Sequence, residues 1–294
     1  MTTLPNASWI NPERYPFTTK AHRAPAGTMR YVDEGTGSPI VMVHGNPAWS
    51  YVYRKLILAL RSDFRCIAPD HLGFGQSEHP EHFSYLPKDH AENLAGLLDS
   101  LALKDLTLVV NDWGGPTGLS YALTRPEKVK RLVILNTWLW PVDDDWYYQG
   151  FSGFMGGAIG RWLCRERNGF VNLVMPKAYG RRELLTDEDL RHYRDALPTP
   201  ESRKGTWVFP KQIIESTPWL ASLWEKRALL ANKPTLLAWG MKDIAFREKE
   251  LKRWQEALPH AEVLRFENAG HYVGDEEPGA IAAGIRKLML TDRA

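Results

Sequence analysis

Asp112 lies in Leu106-Thr107-Leu108-Val109-Val110-Asn111-Asp112-Trp113-Gly114-Gly115, an apolar run followed by one acidic residue and then small ones. The run reads as a buried strand, a sharp turn and the start of a helix. A pattern of the form x-nucleophile-x-Gly holds its central residue exposed on a strained strand-to-helix turn, and the small neighbours let the helix approach the strand. Serine is the usual occupant. A carboxylate, with an ordinary pKa of about 3.9, is already ionised at neutral pH and needs no base to activate it. Asp112 is therefore expected to attack carbon by displacement. Removing the covalent intermediate then requires a base, and His271, in Asn268-Ala269-Gly270-His271-Tyr272, follows the strand-like run 262–266. Asp243, in Trp239-Gly240-Met241-Lys242-Asp243, follows the run 235–239. A lone Asp after a strand is ordinarily a turn or cap residue. The chain order Asp112, Asp243, His271, however, places an orienting acid between nucleophile and base.

A second group surrounds the first. His44-Gly45-Asn46-Pro47 follows the run 40–43, and the backbone N–H groups of Asn46 and of Trp113 are expected to converge as an oxyanion hole. The Asn46 amide and the Trp113 indole also offer side-chain N–H donors that could hold a departing anion of low basicity. The plainer alternatives are that Trp113 packs over the sheet and that Asn46 caps a local turn. Asp143, Asp144 and Asp145 follow the strand ending near Leu135, a station at which an acid could replace Asp243, but Asn136 and Thr137 adjoin that strand and the three aspartates read as a solvated turn. Asp70 reads as a loop anchor. Gly73-x-Gly75 lacks a third glycine at Glu78, so a dinucleotide fingerprint fails.

Positioning these groups requires an alternating α/β chain. Strand-like runs at 40–43, 65–68, 106–110, 131–135, 235–239 and 262–266 alternate with helix-like segments such as 49–60 and 87–101, which implies βαβ units, a mostly parallel sheet and helices on both faces. A stretch at 138–233 interrupts the alternation without a β pattern and is read as a helical cap inserted after the sixth strand, with the core formed by 1–137 and 234–294. Trp138, Trp140, Trp146, Tyr147, Tyr148, Phe151, Phe154 and Trp162 crowd the entrance of the cap, either as its own core or as a wall facing the site. Glycines at 150, 153, 156, 157 and 160 mark a flexible or tightly packed segment that could gate access.

The bulk composition narrows the partners. Lys plus Arg number 37 against 35 Asp plus Glu, a near-balance that gives no argument for nucleic acid or an anionic membrane. Two cysteines make no disulfide framework and fit a reducing, cytoplasmic setting. Residues 1–8 carry neither a basic nor an apolar export signal, so the match of Asn6-Ala7-Ser8 to a glycosylation acceptor has no weight. No apolar run approaches the roughly 18 residues of a membrane span.

Taken together, the segments 44–51, 69–77, 111–115, 239–243 and 270–272 make the chain resemble the haloalkane dehalogenases over essentially its whole length. The resemblance implies an α/β-hydrolase fold. It also implies Asp112 as nucleophile, His271 as base, Asp243 as triad acid, and Asn46 with Trp113 as the halide-stabilising pair. An acid after the later strand is similar to the family's third subgroup; the subgroup with the acid after the earlier strand would carry Glu near Thr137. Asn111 departs from the family pattern, which usually has His there, and is expected to tune the site without abolishing it. The implied partners are a small halogenated substrate, water and halide, with no metal and no organic cofactor; an oligomer is not readable. Two alternatives stay open. An epoxide hydrolase would use the same Asp with cap tyrosines, among which Tyr147, Tyr148, Tyr179 and Tyr193 are available, although its first loop resembles His-Gly-Trp-Pro or His-Gly-Phe-Pro. A non-catalytic binding protein on the same fold is the other, since fold does not fix function. A luciferase-like oxygenase resemblance would bring the earlier Glu, which is missing.

Overall fold

The computed structural model describes residues 3–290. Met1, Thr2 and residues 291–294, which are the outer ends of the expected core spans and the start of the stretch read for export, lie outside the described residues. One sheet of nine strands forms: β1 (Thr3–Leu4), β2 (Thr19–Ala24), β3 (Gly27–Glu34), β4 (Pro39–Val43), β5 (Arg65–Pro69), β6 (Leu106–Asn111), β7 (Val129–Leu135), β8 (Thr235–Gly240) and β9 (Glu262–Phe266). Their order across the sheet is β1-β2-β3-β5-β4-β6-β7-β8-β9. Pairing is antiparallel from β1 to β3 and between β3 and β5, and parallel from β5 onward. All six expected strands are present, five of them longer by one or two residues. β6 and β8 are buried along their entire length, as continuous apolar runs covered on both faces should be. Periodicity did not reveal β2 and β3, because Thr19–Ala24 and Gly27–Glu34 place charged residues on a half-exposed face instead of forming an apolar run.

The helices follow from the crossovers. β4 leads through α1 (Arg54–Leu60) to β5 on one side, whereas β5 and β6 lead through α2 (Pro87–Ser100) and α3 (Gly114–Thr124) in the opposite direction. Right-handed connections therefore place α1 on one face and α2 with α3 on the other. The helix expected over 49–60 begins instead as a 3₁₀ turn, Ser50–Tyr53, since Trp49 is extended and the Ser50 N–H is taken by the Asp70 carboxylate at 2.8 Å.

Between β7 and β8 come α4 (Trp146–Gly156), α5 (Ala158–Arg167), α6 (Met175–Ala178), α7 (Asp187–Asp195), α8 (Lys204–Glu215) and α9 (Thr217–Glu225), with no strand among them. β7 is the sixth strand when the two-residue β1 is set aside, so the insertion leaves the sheet where it was expected. α9 packs against α3, so the 138–233 span holds both the covering helices and, at its end, a crossover helix of the core layer. After β8 the chain continues through α10 (Glu248–Ala257), β9, α11 (Val273–Glu276) and α12 (Pro278–Leu290), the last packing beside α1. Among the described residues no helix is long and apolar enough to cross a membrane. Both cysteines, Cys66 and Cys164, are buried and unpaired.

Candidate active site

Asp112 sits at the C-terminal end of β6 with φ of +53°, a left-handed conformation that costs a non-glycine residue on the order of 1–3 kcal/mol and is kept only where its surroundings enforce it. Those surroundings are specific. The Asp112 N–H donates to the Asn136 carbonyl at 3.0 Å, and the Thr137 hydroxyl donates to the Asp112 carbonyl. Asn136 is fixed in turn by a bond from the Gly240 N–H at 2.8 Å and one to the Gly240 carbonyl at 3.0 Å, so the ends of β7 and β8 together shape the turn. Gly45 approaches so closely that a Cβ there would stand 2.2 Å from Asp112 Oδ1.

The Asn46 backbone N–H donates to Asp112 Oδ1 at 2.7 Å, and the Trp113 N–H also bears on the carboxylate. The two N–H groups expected to form an oxyanion hole thus both bear on the Asp112 carboxylate. Burial raises the Asp112 pKa above the ordinary carboxylate value, against the opposing pull of His271 and of these two N–H groups. His271 Nε2 stands 3.7 Å from Asp112 Oδ2, and its Nδ1 is 3.0 Å from Asp243 Oδ2. Burial alone would lower the His271 pKa. The Asp243 charge and hydrogen bond, with Asp112 beside them, outweigh that and carry it to about 9. The other oxygen of Asp243 accepts the Ala245 N–H at 2.7 Å, which fixes the acid.

The side chains of Asn46 and Trp113 both line the cavity above Asp112. Among the described residues nothing bonds the Asn46 amide N–H₂ or the Trp113 indole N–H, and the Asn46 side-chain oxygen is buried without a partner. The Trp113 ring packs edge-on against Trp138 at 4.6 Å, so it fills space over the sheet and still leaves its N–H uncommitted. The cavity wall is apolar: Trp138, Phe151, Phe170, Val174, Ile213 and Phe246 face it. Of the eight aromatics at the cap entrance, Trp138, Tyr147, Tyr148 and Phe151 line the cavity, Trp140 packs on Trp224 and Trp254, and Trp146, Phe154 and Trp162 are exposed. The glycines divide as well: Gly150 and Gly153 face open space, whereas Gly156 lies against Lys211 of α8 with no room for a side chain.

The remaining candidates fall elsewhere. Asp145 caps α4 through the Tyr147 N–H and pairs with Lys249 and Arg247, which leaves Asp243 alone on His271 Nδ1. Asp70 is a buried anchor that accepts the N–H groups of Ser50 and Gln76. The tyrosine hydroxyls of the cap are largely engaged: Tyr147 donates to the Ile244 carbonyl, Tyr148 to Ala245 at 2.9 Å and Tyr179 to Asp275 at 2.9 Å, and Tyr193 is buried outside the cavity wall. Tyr272, for which the sequence predicts no role, lines the cavity beside His271, and among the described residues nothing bonds its hydroxyl. Asn136 and Thr137 are struts of the Asp112 turn that read in the sequence only as the absence of an acid, and Asn111, expected to tune the site, donates its amide to the His271 carbonyl at 3.2 Å. Among the described residues no group of three or more His, Cys, Asp or Glu is arranged to hold a metal ion.

A family model of the α/β-hydrolase fold matches residues 38–278. Haloalkane dehalogenase 2 of Mycobacterium tuberculosis strain H37Rv is 40% identical over 277 residues, 94% of this chain and 96% of that protein. A cis-3-alkyl-4-alkyloxetan-2-one decarboxylase of Shewanella oneidensis is 32% identical, covering 89% and 85% respectively. Among solved structures, a haloalkane dehalogenase of Agrobacterium tumefaciens C58 superposes with a TM-score of 0.82 at 28% identity, covering 94% of this chain and 97% of that one.

Proposed function

This chain belongs to the haloalkane dehalogenases of the α/β-hydrolase fold, and from that premise we propose that it hydrolyses haloalkanes through an ester on Asp112. Asp112 Oδ2 attacks the halogen-bearing carbon; the carbon–halogen bond breaks as the carbon–oxygen bond forms, and the halide leaves between the Asn46 amide and the Trp113 indole. His271, oriented by Asp243, then takes a proton from water. The resulting hydroxide attacks the ester carbonyl, while Oδ1 gathers charge against the N–H groups of Asn46 and Trp113. Alcohol, halide and a proton are released. The observation that carries this reading is the pair of uncommitted side-chain N–H donors beside one carboxylate in an apolar cavity. Such a cavity favours a displacement, because a desolvated carboxylate and its leaving anion meet fixed dipoles in place of water.

An epoxide would need an acid for its alkoxide. The hydroxyls of Tyr147, Tyr148 and Tyr179 are bonded elsewhere, which disfavours that substrate and leaves Tyr272 as the group on which it would depend. A cytosolic setting belongs to the same proposal and rests on the two unpaired thiols. The test is halide release from a panel of bromo- and iodoalkanes, with an epoxide and a cis-dialkyl oxetanone as parallel arms. Release that is lost in Asp112→Ala, and that stops after about one halide per active site in His271→Phe, is expected. Diol or alkene without halide would overturn the substrate assignment.

A further inference from the structure

His271 is held by its backbone as much as by Asp243. Its N–H donates to the carbonyl of Ala178, a cap residue, at 2.8 Å. The N–H of the preceding Gly270 donates to Glu276 Oε1 at 2.8 Å, and the same oxygen accepts the Gly180 N–H at 3.2 Å. Glu276 Oε2 accepts the Arg181 N–H at 2.8 Å. One carboxylate, its side chain fully buried, thus collects three backbone N–H groups from two segments some ninety residues apart. The segments touch backbone to backbone. A Cβ on Gly270 would lie 2.2 Å from the Ala178 carbonyl, and one on Gly180 would lie 2.4 Å from that of Asn268. A parallel link runs from the Tyr179 hydroxyl to Asp275, which is itself paired with Arg54 of the core at 2.8 Å.

Asp112 is held by different elements: β6, the ends of β7 and β8, and the loop at Asn46. Among the described residues none of those elements bonds to Glu276 or to residues 178–181. Apart from the contacts of the His271 ring, they meet the histidine loop only through Asn111, whose amide reaches the His271 carbonyl, and through the start of the loop after β8, where the Lys242 N–H reaches the Ala269 carbonyl. We propose that Glu276 is a positioning residue that fastens the His271 loop to cap residues 178–181, so that ester hydrolysis depends on it while alkylation of Asp112 does not. The proposal rests on the Asp112 ester described above. It gives the cap a role beyond shaping the cavity, since a cap that shifts at 178–181 carries the base with it. Water activation tolerates little displacement of the base: a misplacement of about 1 Å costs on the order of 100-fold in rate.

The experiment separates the two steps. Wild type, Glu276→Gln, Glu276→Leu and Tyr179→Phe are mixed with excess bromoalkane; halide release in the first turnover reports alkylation, and the mass-shifted protein in quenched samples reports the ester. Glu276→Leu should alkylate within about twofold of wild type, hydrolyse on the order of 10- to 100-fold more slowly, and accumulate ester. Glu276→Gln, which keeps one acceptor oxygen, should recover part of the hydrolysis rate. Tyr179→Phe removes a single hydroxyl of the parallel link and should slow hydrolysis by a smaller factor, which keeps the test open if the Glu276 variants fail to fold. Equal losses in both steps, or wild-type hydrolysis in folded Glu276→Gln, would overturn the role of Glu276 alone. A wild-type enzyme that releases halide without ever carrying an ester would overturn the Asp112 reading and this proposal with it.

Discussion

The Asn111 side-chain amide donates to the backbone carbonyl of His271 at 3.2 Å, so the residue immediately before the proposed nucleophile holds the loop of the proposed base. The same amide reaches the carbonyls of Leu135 and Asn136 at 3.3 and 3.1 Å, joining β6, β7 and the histidine loop at one point. Asn111→Leu keeps the branched side-chain skeleton, in a larger volume, and has no donor. It should lower the steady-state rate about tenfold through the hydrolysis step, with the first-turnover burst of halide preserved. Equal burst and steady-state losses would assign Asn111 to the nucleophile instead.

The leaving halide is expected to draw on two side-chain donors. Trp113→Phe keeps a ring against Trp138 but removes the indole N–H. Loss of one preorganised donor to developing charge costs about 2.7–4 kcal/mol, and the first-turnover alkylation rate should fall on the order of 100-fold or more. Asn46→Ala should do the same while leaving the backbone N–H that serves Oδ1. The measurement is halide release over a chloride, bromide and iodide series, in which the penalty should be greatest for chloride, the leaving group most in need of stabilisation.

The titration of His271 has a definite sign. Its pKa lies near 9 in the free protein, above the usual 6.5, because the Asp243 charge and hydrogen bond, helped by Asp112, outweigh burial. Stability from this group is thus fully present below about pH 6.5 and is lost as the pH rises through about 9. Esterification removes the Asp112 charge, so the base should titrate lower in the intermediate, and hydrolysis should rise with pH to a plateau. Asp243→Asn should move that rising limb to lower pH. It should also cut turnover on the order of 10³- to 10⁴-fold by releasing the imidazole orientation. A pH–rate profile of the variant that superposes on the wild type would remove Asp243 from the mechanism.

Arg54 joins three parts of the molecule. Its guanidinium pairs with Asp189 of the cap and with Asp275 beside the histidine loop, each at 2.8 Å, and its side chain is only 3% exposed. Arg54→Met leaves the buried Asp189 without a cation and Asp275 with only Lys55, at 3.1 Å, and should destabilise the fold by about 3 kcal/mol, read as a lowered midpoint of urea unfolding. Asp189→Asn, which keeps a polar group of the same shape, should cost less.

Legibility differed by the kind of information each feature carries. β4, β6, β7 and β8 are continuous apolar runs, and the residues at their carboxyl ends, Asn46, Asp112 and Asp243, could be read because the crossover geometry of a parallel sheet places those ends along one edge. β2 escaped because its alternation of Lys20, His22 and Arg23 with small residues is weak, and β3 because Arg30, Asp33 and Glu34 break up its apolar residues. Asn136 and Thr137 were noticed only as the absence of an acid. Their work, holding Gly240 and the Asp112 carbonyl, uses backbone partners that leave no mark in the sequence. Glu276 is the extreme case: the three hydrogen bonds of its carboxylate come from backbone N–H groups and its ion pair from Arg181, 95 residues away, so nothing in residue type or spacing distinguishes it from a helix-end glutamate. Which cap aromatics face inward was equally unreadable. Tyr147 lines the cavity while its neighbour Trp146 is 79% exposed, and only the tertiary placement of α4 separates them.

The attack by Asp112 is tested most directly by a single turnover in H₂¹⁸O, with enzyme in excess over a bromoalkane. If Asp112 displaces bromide and water then opens the ester at its carbonyl carbon, the alcohol of that first turnover takes its oxygen from Asp112. The ¹⁸O then appears in the peptide that carries Asp112, and the alcohol remains unlabelled. Labelled alcohol with an unlabelled Asp112 peptide would mean that water displaces the halide directly, and would contradict the covalent role assigned to Asp112.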